Sequence, residues 1–330
     1  MDLDSIHKED QPVSTALLLA AGTGSRLNPL TLDMPKCLTM VCGVCILERL
    51  VICLNKHGFK RLLVVTGHLE NCIREFLGTQ YGGMTIDYIL SPLYETTNNI
   101  YSLWMAREII NEPFLLIESD IVFDVSLLDD MLCPDRIAVA RMQPKMNGST
   151  VTLDQFQYVK KFHSGAAGPL DEIRYKTVNI YSLSLFSWLG IRERLDKYIS
   201  AGRVNNYYEA VFAEMVADGN LSLQAVFFDS NPWYEIDTIA DLAEAEKVFS
   251  ADRVEATTPY NITAHTSGIS EQFCQQTMSS KAQTVSRSPS LMAVPKPNSL
   301  NMKPIYGYNR IQEEDVALEK KTTGNIDGEV

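Results

Sequence analysis

From Thr15 onward the apolar positions fall into two alternating textures. The short runs "TALLLAA", "RLLVVTG", "MTIDYIL" and "PFLLIESDIVFD" read as strands, being brief, apolar or alternating, and bounded by turn residues. Between them, "CILERLVICLNKHG", "ENCIREFLG" and "NNIYSLWMAREII" repeat apolar residues at the spacing of one helix face. Gly58 is placed to close the first of these helices, and Asn98 or Asn99 to open the third. Strand and helix in strict alternation predict a Rossmann-like α/β fold, with a mostly parallel central sheet covered by helices on both faces. Ligands of such sheets bind at the carboxyl ends of the strands. The junctions "LLLAA–GTGSR", "LLVV–TGH", "YIL–SP" and "LLIE–SD" therefore deliver residues to one rim.

The texture then changes twice. From "RIAVARM" to "NIYSLSLF" the pattern predicts a smaller antiparallel part, followed by two helices, "LGIRERLDKYIS" and "NYYEAVFAEMVADG", and a strand, "SLQAVFF". "NPWYEIDTIADLAEAEKVF" closes the domain with a loop and a helix starting near Thr238. After Ser250 the chain is rich in Ser, Gln and Pro and has no period, so it cannot bury enough apolar area to offset chain entropy. The reading is a domain over 15–249, a disordered segment over 1–14 and a disordered tail or linker over 250–330. No internal repeat is visible.

Composition narrows the partners. Of 330 residues 45% are hydrophobic, enough for one substantial core. A formal net charge of -12 argues against a nucleic-acid partner, which needs a basic face, but not against a nucleotide pocket with a few local cations. The polar, acidic N-terminus is no signal peptide, and no apolar run approaches the ~20 residues of a membrane helix. A soluble, cytoplasmic protein is expected, with a homodimer as the common symmetric assembly. The seven cysteines are scattered; Cys42 and Cys45 form a C-x2-C with no second pair at zinc spacing, and read as reduced thiols.

The chemistry starts at "LAAGTGSRLNPLTLDMPKCL". Gly22 and Gly24 follow a strand, but Leu27 stands where a dinucleotide-binding loop needs its third glycine, and no Gly-Lys-Ser/Thr follows as in a P-loop. What remains is a glycine loop whose backbone N–H groups can approach phosphates, followed by two cations, Arg26 and Lys36. That set suits a triphosphate, with charge at both the transferring and the leaving end. Pro35 restricts Met34 and stiffens the approach of Lys36.

This segment resembles the signature of the nucleotidyltransferases that activate sugar phosphates and phosphocholine with a nucleoside triphosphate. The resemblance implies that Leu19, Ala20, Ala21, Gly22, Thr23, Gly24 and Ser25 wrap the nucleotide while Arg26 and Lys36 neutralise it. It also implies Mg²⁺, held by aspartates matching Asp120 in "LLIESDIVFD" and Asp237 in "WYEIDTIADL". For Asp237 the competing reading is an N-cap of the last helix. Asp124, Glu118 and Glu235 are near neighbours to which the family gives no matching role.

"ETTNNIYSLWMARE", "YKTVNIYSLS" and "NNYYEAVFAEM" look like the branch containing CTP:phosphocholine and 2-aminoethylphosphonate cytidylyltransferases. That likeness spans about Thr15 to Phe249. It implies that Asn98 and Ser102 lie near the base or ribose and that Ala20, Gly67 and Ser91 line the base pocket. Backbone and amide groups suit cytosine, and the residues leave uracil open as well. The antiparallel part would bind the acceptor, with Lys176 on its phosphate or phosphonate. Aromatic faces or a carboxylate for an amine head group would come from Tyr181, Tyr207, Tyr208, Trp233, Tyr234 and Glu209. His68 is at the rim, where a structural role competes with a nucleotide contact. A uridylyl or other transferase acting on a sugar 1-phosphate, and a nucleotide-binding subunit without activity, are the rival functions.

Overall fold

The computed structural model describes residues 12–143, 146–163 and 172–250. Its first half runs β1 (Thr15–Ala20), β2 (Met40–Val41), β3 (Val44–Cys45), α1 (Ile46–Lys56), β4 (Arg61–Thr66), α2 (Glu70–Leu77), β5 (Gln80–Tyr81), β6 (Met84–Leu90), α3 (Asn99–Met105), β7 (Phe114–Glu118) and β8 (Ile121–Phe123). The second half runs β9 (Arg136–Arg141), β10 (Thr150–Leu153), β11 (Val159–His163), β12 (Tyr175–Leu183), α4 (Leu185–Ser200), α5 (Glu209–Ala217), β13 (Gln224–Phe227), β14 (Trp233–Glu235) and α6 (Ile239–Phe249).

β1 is the axis of the fold. It pairs in parallel with β4 on one side and β7 on the other, and β4 continues in parallel to β6. Every residue of β1 is buried, as a strand covered on both faces requires. Alternation divides its side chains between two cores. Ala16, Leu18 and Ala20 pack with Leu47, Leu50 and Leu54 of α1 and Ile73 of α2. Leu17, Leu19 and Ala21 pack with Leu103 of α3, Trp188 of α4 and Phe212 of α5. Truncating one of these leucines to alanine removes about 2–5 kcal/mol, the usual loss for a buried large-to-small change.

The antiparallel strands are not a separate body. β12 pairs antiparallel with β7, as well as with β9 and β10, so among the described residues they extend the same ten-stranded sheet. The register of β12 against β9 shifts between Thr177 and Tyr181, where Asn179 adopts φ +58°. Asparagine tolerates that left-handed conformation better than most residues, and such a bulge re-aims its side chain.

A two-stranded ribbon closes the domain. β8 pairs antiparallel with β14, and Ile236 donates its N–H to Asp120 O at 2.9 Å. Leu27, Val41, Ile46, Val122, Ile236, Ala245 and Phe249 form a third apolar cluster, which ties the glycine loop to α6. Thr238 caps α6 with a reciprocal bond to Asp241. Thr238 and not Asp237 is thus the N-cap, so the competing reading of Asp237 does not hold.

The N-terminal boundary is also corrected. Val13 is 3% exposed and donates to Leu132 O, while Ser14 O accepts from Lys60, so these residues belong to the fold. The segment 1–11 and the tail from 251 to 330 lie outside the described residues. Among the described residues no helix is long and apolar enough to cross a membrane.

Candidate active site

The loop after β1 turns on Gly24. Its φ of +63° favours glycine, and a Cβ there would lie 3.0 Å from Cβ of Lys36. The glycine loop and the lysine that follows it are thus packed against each other. Leu19 and Ala20 bury their side chains in opposite cores, so only their backbone is available to a ligand. Gly22 and Ser25 are exposed and Thr23 is half-buried.

Three charged side chains from distant parts of the chain meet at Lys36. Its ammonium lies 2.6 Å from Asp120 Oδ2 and 2.8 Å from Asp237 Oδ1. Arg26, exposed at 65%, approaches the same Asp237 oxygen at 2.8 Å. Asp120 follows the end of β7 and Asp237 follows β14, so the β8–β14 ribbon brings the two carboxylates together. Burial alone would depress the Lys36 ammonium, but the Asp120 and Asp237 carboxylates outweigh it and hold the pKa above its ordinary value.

Asp120 Oδ1 is buried with no hydrogen-bond partner among the described residues. An orphaned carboxylate oxygen beside a second carboxylate fits a divalent cation completed by substrate phosphates and water. Among the described residues no group of three or more His, Cys, Asp or Glu forms a self-sufficient metal cage. Asp120 and Asp237 would be the protein's ligands.

The remaining rim residues are fixed by packing. A Cβ at Gly67 would meet Ala21 O at 2.6 Å and Cβ of Tyr94 at 2.8 Å, so only glycine fits. His68 donates its N–H to Ala21 O, and its Nε2 lies 3.2 Å from Thr31 O, which anchors the glycine loop. Ser91 is fully buried, donates its N–H to Thr66 O, and leaves its hydroxyl without a partner among the described residues. Asn98 caps α3 by accepting from Asn99 N, and its own N–H donates to Val204 O. Ser102 is 6% exposed on the same helix.

A second polar cluster lies behind the first. Lys176, 2% exposed, donates to Thr177 O and pairs with Glu235 Oε2 at 3.0 Å. Asn179, re-aimed by the bulge, donates to Glu235 Oε1. Asn99 donates to Glu118 Oε1 and accepts from Tyr208 N at the start of α5, next to Glu209. Burial is the largest cause raising the Glu118 carboxyl, with Asp120, Glu209 and Glu235 adding to it. Burial also pushes Glu209 up to about 7, against its own backbone N–H and Lys176.

The aromatic candidates separate. Tyr181 and Tyr208 are fully buried and pack edge-on with each other and against Phe212. Trp233 packs against the core beneath β1, whereas Tyr234 turns to the cluster around Leu27 and Ile236. The two alternate across β14 and do not face one pocket. Tyr207 is 60% exposed.

Glu118, Glu235, Asn99 and Asn179 were not expected around Lys176. A signal for the two glutamates existed: each stands two residues before one of the paired aspartates, in "ESD" and "EID". The C-x2-C is structural, since Cys45 caps α1 and Cys42 donates to Glu246 O. A Cys53–His57–Asp129 alignment is structural as well. His57 Nδ1 donates to Cys53 O at 2.8 Å, and burial pushes the Cys53 thiol up to about 12.

Residues 15–138 match the family model described as nucleotidyl transferase. Residues 15–138 are a nucleotidyl transferase domain. The matched stretch includes Arg26, Lys36 and Asp120 and ends before Lys176 and Asp237. CMP-5'-(3-aminopropyl)phosphonate synthase of Streptomyces rubellomurinus is 32% identical over 72% of this chain, which spans 39% of that protein's length. CTP:phosphoglutamine cytidylyltransferase of Campylobacter jejuni is 24% identical over 69% of this chain and 97% of its own. The solved CTP:phosphocholine cytidylyltransferase of Streptococcus pneumoniae shares the fold, with TM-score 0.63 at 20% identity, over 72% of this chain and 99% of that one. The nucleotidyl transferase fold expected from the glycine loop is thereby borne out.

Proposed function

We propose that this nucleotidyl transferase is a cytoplasmic, Mg²⁺-dependent cytidylyltransferase. It moves CMP from CTP to a small phosphorylated or phosphonate acceptor of the phosphocholine or 2-aminoethylphosphonate type. The observation that carries the reading is the Lys36 ammonium between Asp120 and Asp237, directly beyond the glycine loop. Relatives named for CMP-phosphonate synthesis and for cytidylyl transfer to phosphoglutamine support the base and the acceptor class.

In this reading an acceptor oxygen attacks the α-phosphorus of CTP in line. A new P–O bond forms, the bond to the bridging oxygen of the β-phosphate breaks, and pyrophosphate leaves with that electron pair. The acceptor anion needs no general base, so positioning and charge neutralisation carry the catalysis. The backbone from Leu19 to Ser25 cradles the triphosphate, and Arg26 and Lys36 neutralise it. Asn98, Ser102, Gly67 and Ser91 border the base and ribose, and Lys176 faces the acceptor anion. Magnesium held by Asp120 and Asp237 supplies further neutralisation of phosphate charge. A homodimer is part of the same reading and is checked by light scattering.

The test is pyrophosphate release with Mg²⁺ across CTP, UTP, GTP and ATP, each paired with phosphocholine, 2-aminoethylphosphonate and glucose 1-phosphate. Release with CTP and a phosphocholine- or phosphonate-type acceptor is expected. Release with UTP and glucose 1-phosphate alone would make it a uridylyltransferase instead.

A further inference from the structure

β12 carries a backbone outlier in its middle. Asn179 stands at φ +58°, whereas Cys42, Leu69, Asp135 and Gln157, the other non-glycine residues with positive φ among the described residues, all lie between elements. A left-handed residue inside a strand costs free energy and persists where its surroundings require it. The sheet changes neighbours at the same place. β12 pairs with β10 through Tyr175 and Lys176, and with β7 from Ile180 to Leu183. Continuing the second register by one residue sets Asn179 opposite Glu118, the last residue of β7. Asn179 thus stands where the sheet divides, at the carboxyl end of a parallel strand, where ligands of such sheets bind.

The side chain of Asn179 links two parts of the site. It is 6% exposed; its amide donates to Glu235 Oε1 at 3.2 Å, and its oxygen accepts from Thr177 Oγ1 at 3.0 Å. The other oxygen of Glu235 pairs with Lys176 at 3.0 Å. Lys176 also donates to Thr177 O, so two of its three N–H donors are engaged and one remains for an anion. Glu235 ends β14, two residues before Asp237, whose carboxylate meets Lys36. One carboxylate therefore joins the buried lysine to the strand that leads to the second aspartate, and Asn179 fixes one of its two oxygens. The bulge sets the direction of that asparagine, as bulges do.

We infer that Asn179 is a positioning residue for the acceptor: by holding Glu235 it fixes the Lys176 ammonium relative to Asp237. The inference rests on the reading of Lys176 as the cation for the acceptor's anionic end, and not on which base or acceptor is used. Asn179 touches no reacting atom. Loss of its amide frees Glu235 to turn and the lysine with it, while the glycine loop keeps its own packing on Lys36. A misplaced cation at this point weakens the hold on the acceptor and leaves the nucleotide's contacts as they were.

Asn179→Gly and Asn179→Ala separate the amide from the backbone. Both remove the amide, but only alanine carries a Cβ into the left-handed conformation, so the alanine variant should melt lower than the glycine one. Pyrophosphate release is measured on the full chain with Mg²⁺, CTP or UTP, and phosphocholine, 2-aminoethylphosphonate or glucose 1-phosphate. In both variants the KM for the acceptor that the wild type uses should rise about tenfold or more, the loss of a hydrogen bond to a charged group. The KM for the nucleotide should not change. A wild-type acceptor KM in Asn179→Gly overturns the inference, and so does a rise confined to Asn179→Ala, since the role would then belong to the backbone. An equal rise in the nucleotide KM overturns it too. Lys176→Met tests the parent reading separately: an unchanged acceptor KM there overturns that reading and this inference together. A raised KM in Lys176→Met beside a normal one in Asn179→Gly sinks this inference alone.

Discussion

Lys36 binds one oxygen of Asp120 at 2.6 Å while the other oxygen of that carboxylate is buried and unpaired among the described residues. The same ammonium lies 2.8 Å from Asp237, so one cation links two carboxylates that the β8–β14 ribbon holds side by side. The lysine thereby organises both carboxylates.

Replacing Lys36 by methionine keeps much of its volume and removes the charge. Turnover should fall by about a hundredfold or more, as for loss of a preorganised transition-state contact. The chain should remain folded, with a melting temperature lowered by the Asp120 carboxylate left without its cation, while Asp237 keeps Arg26. Steady-state kinetics beside a thermal melt test this, and normal turnover in the folded variant would remove Lys36 from the chemistry.

Asp120→Asn and Asp237→Asn weaken the proposed magnesium site without changing side-chain size. The Mg²⁺ concentration giving half-maximal activity should rise by about tenfold or more in each. Chelation of divalent cations should abolish pyrophosphate release by the wild-type chain, and activity unchanged by chelator would argue for a metal-free reaction.

The two glycines of the loop should differ. Gly24→Ala places a Cβ 3.0 Å from the Lys36 side chain in a left-handed conformation, a penalty of about 1–2 kcal/mol that displaces the lysine. Gly22→Ala meets nothing within 4 Å. Thermal melts should show the loss for Gly24→Ala alone, and its kcat should fall further than that of Gly22→Ala if lysine placement matters.

Glu209 gives a pH signature. Burial holds its carboxyl near 7 in the fold, against 4.5 for an ordinary glutamate. Between these values the folded chain binds more protons than the unfolded one, so stability falls as pH rises through that window. Glu209→Gln removes the penalty. Its unfolding free energy should match the wild type below about pH 4.5 and exceed it above about pH 7, by an amount on the order of 3 kcal/mol. A difference constant across the range would show that Glu209 ionises normally.

Much of the fold was legible because it rests on local signals. The unbroken apolar run of β1, the helical spacing of α1 and α2, and the glycines after the first strand each follow from neighbouring residues. The Arg26, Lys36, Asp120 and Asp237 set came from a motif, and the structure brings all four together. The cluster around Lys176 was less readable, because Glu118 and Glu235 gain their surroundings from the β8–β14 pairing and from the bulge at Asn179. Neither leaves a local periodicity. Tyr181 and Tyr234 looked alike in sequence, yet one is sealed in the core and the other turns to the cluster beneath α6.

The ribbon of β8 and β14 also sets an order of events during synthesis. Lys36 and Asp237 are 201 positions apart, and the β8–β14 pairing with the Ile236 N–H on Asp120 O brings the second carboxylate to the first. On the ribosome, the sheet around β1 can collapse long before Asp237 has left the exit tunnel. A nascent chain can thus be largely folded and still lack its charge centre, which closes when nearly the whole domain has been translated.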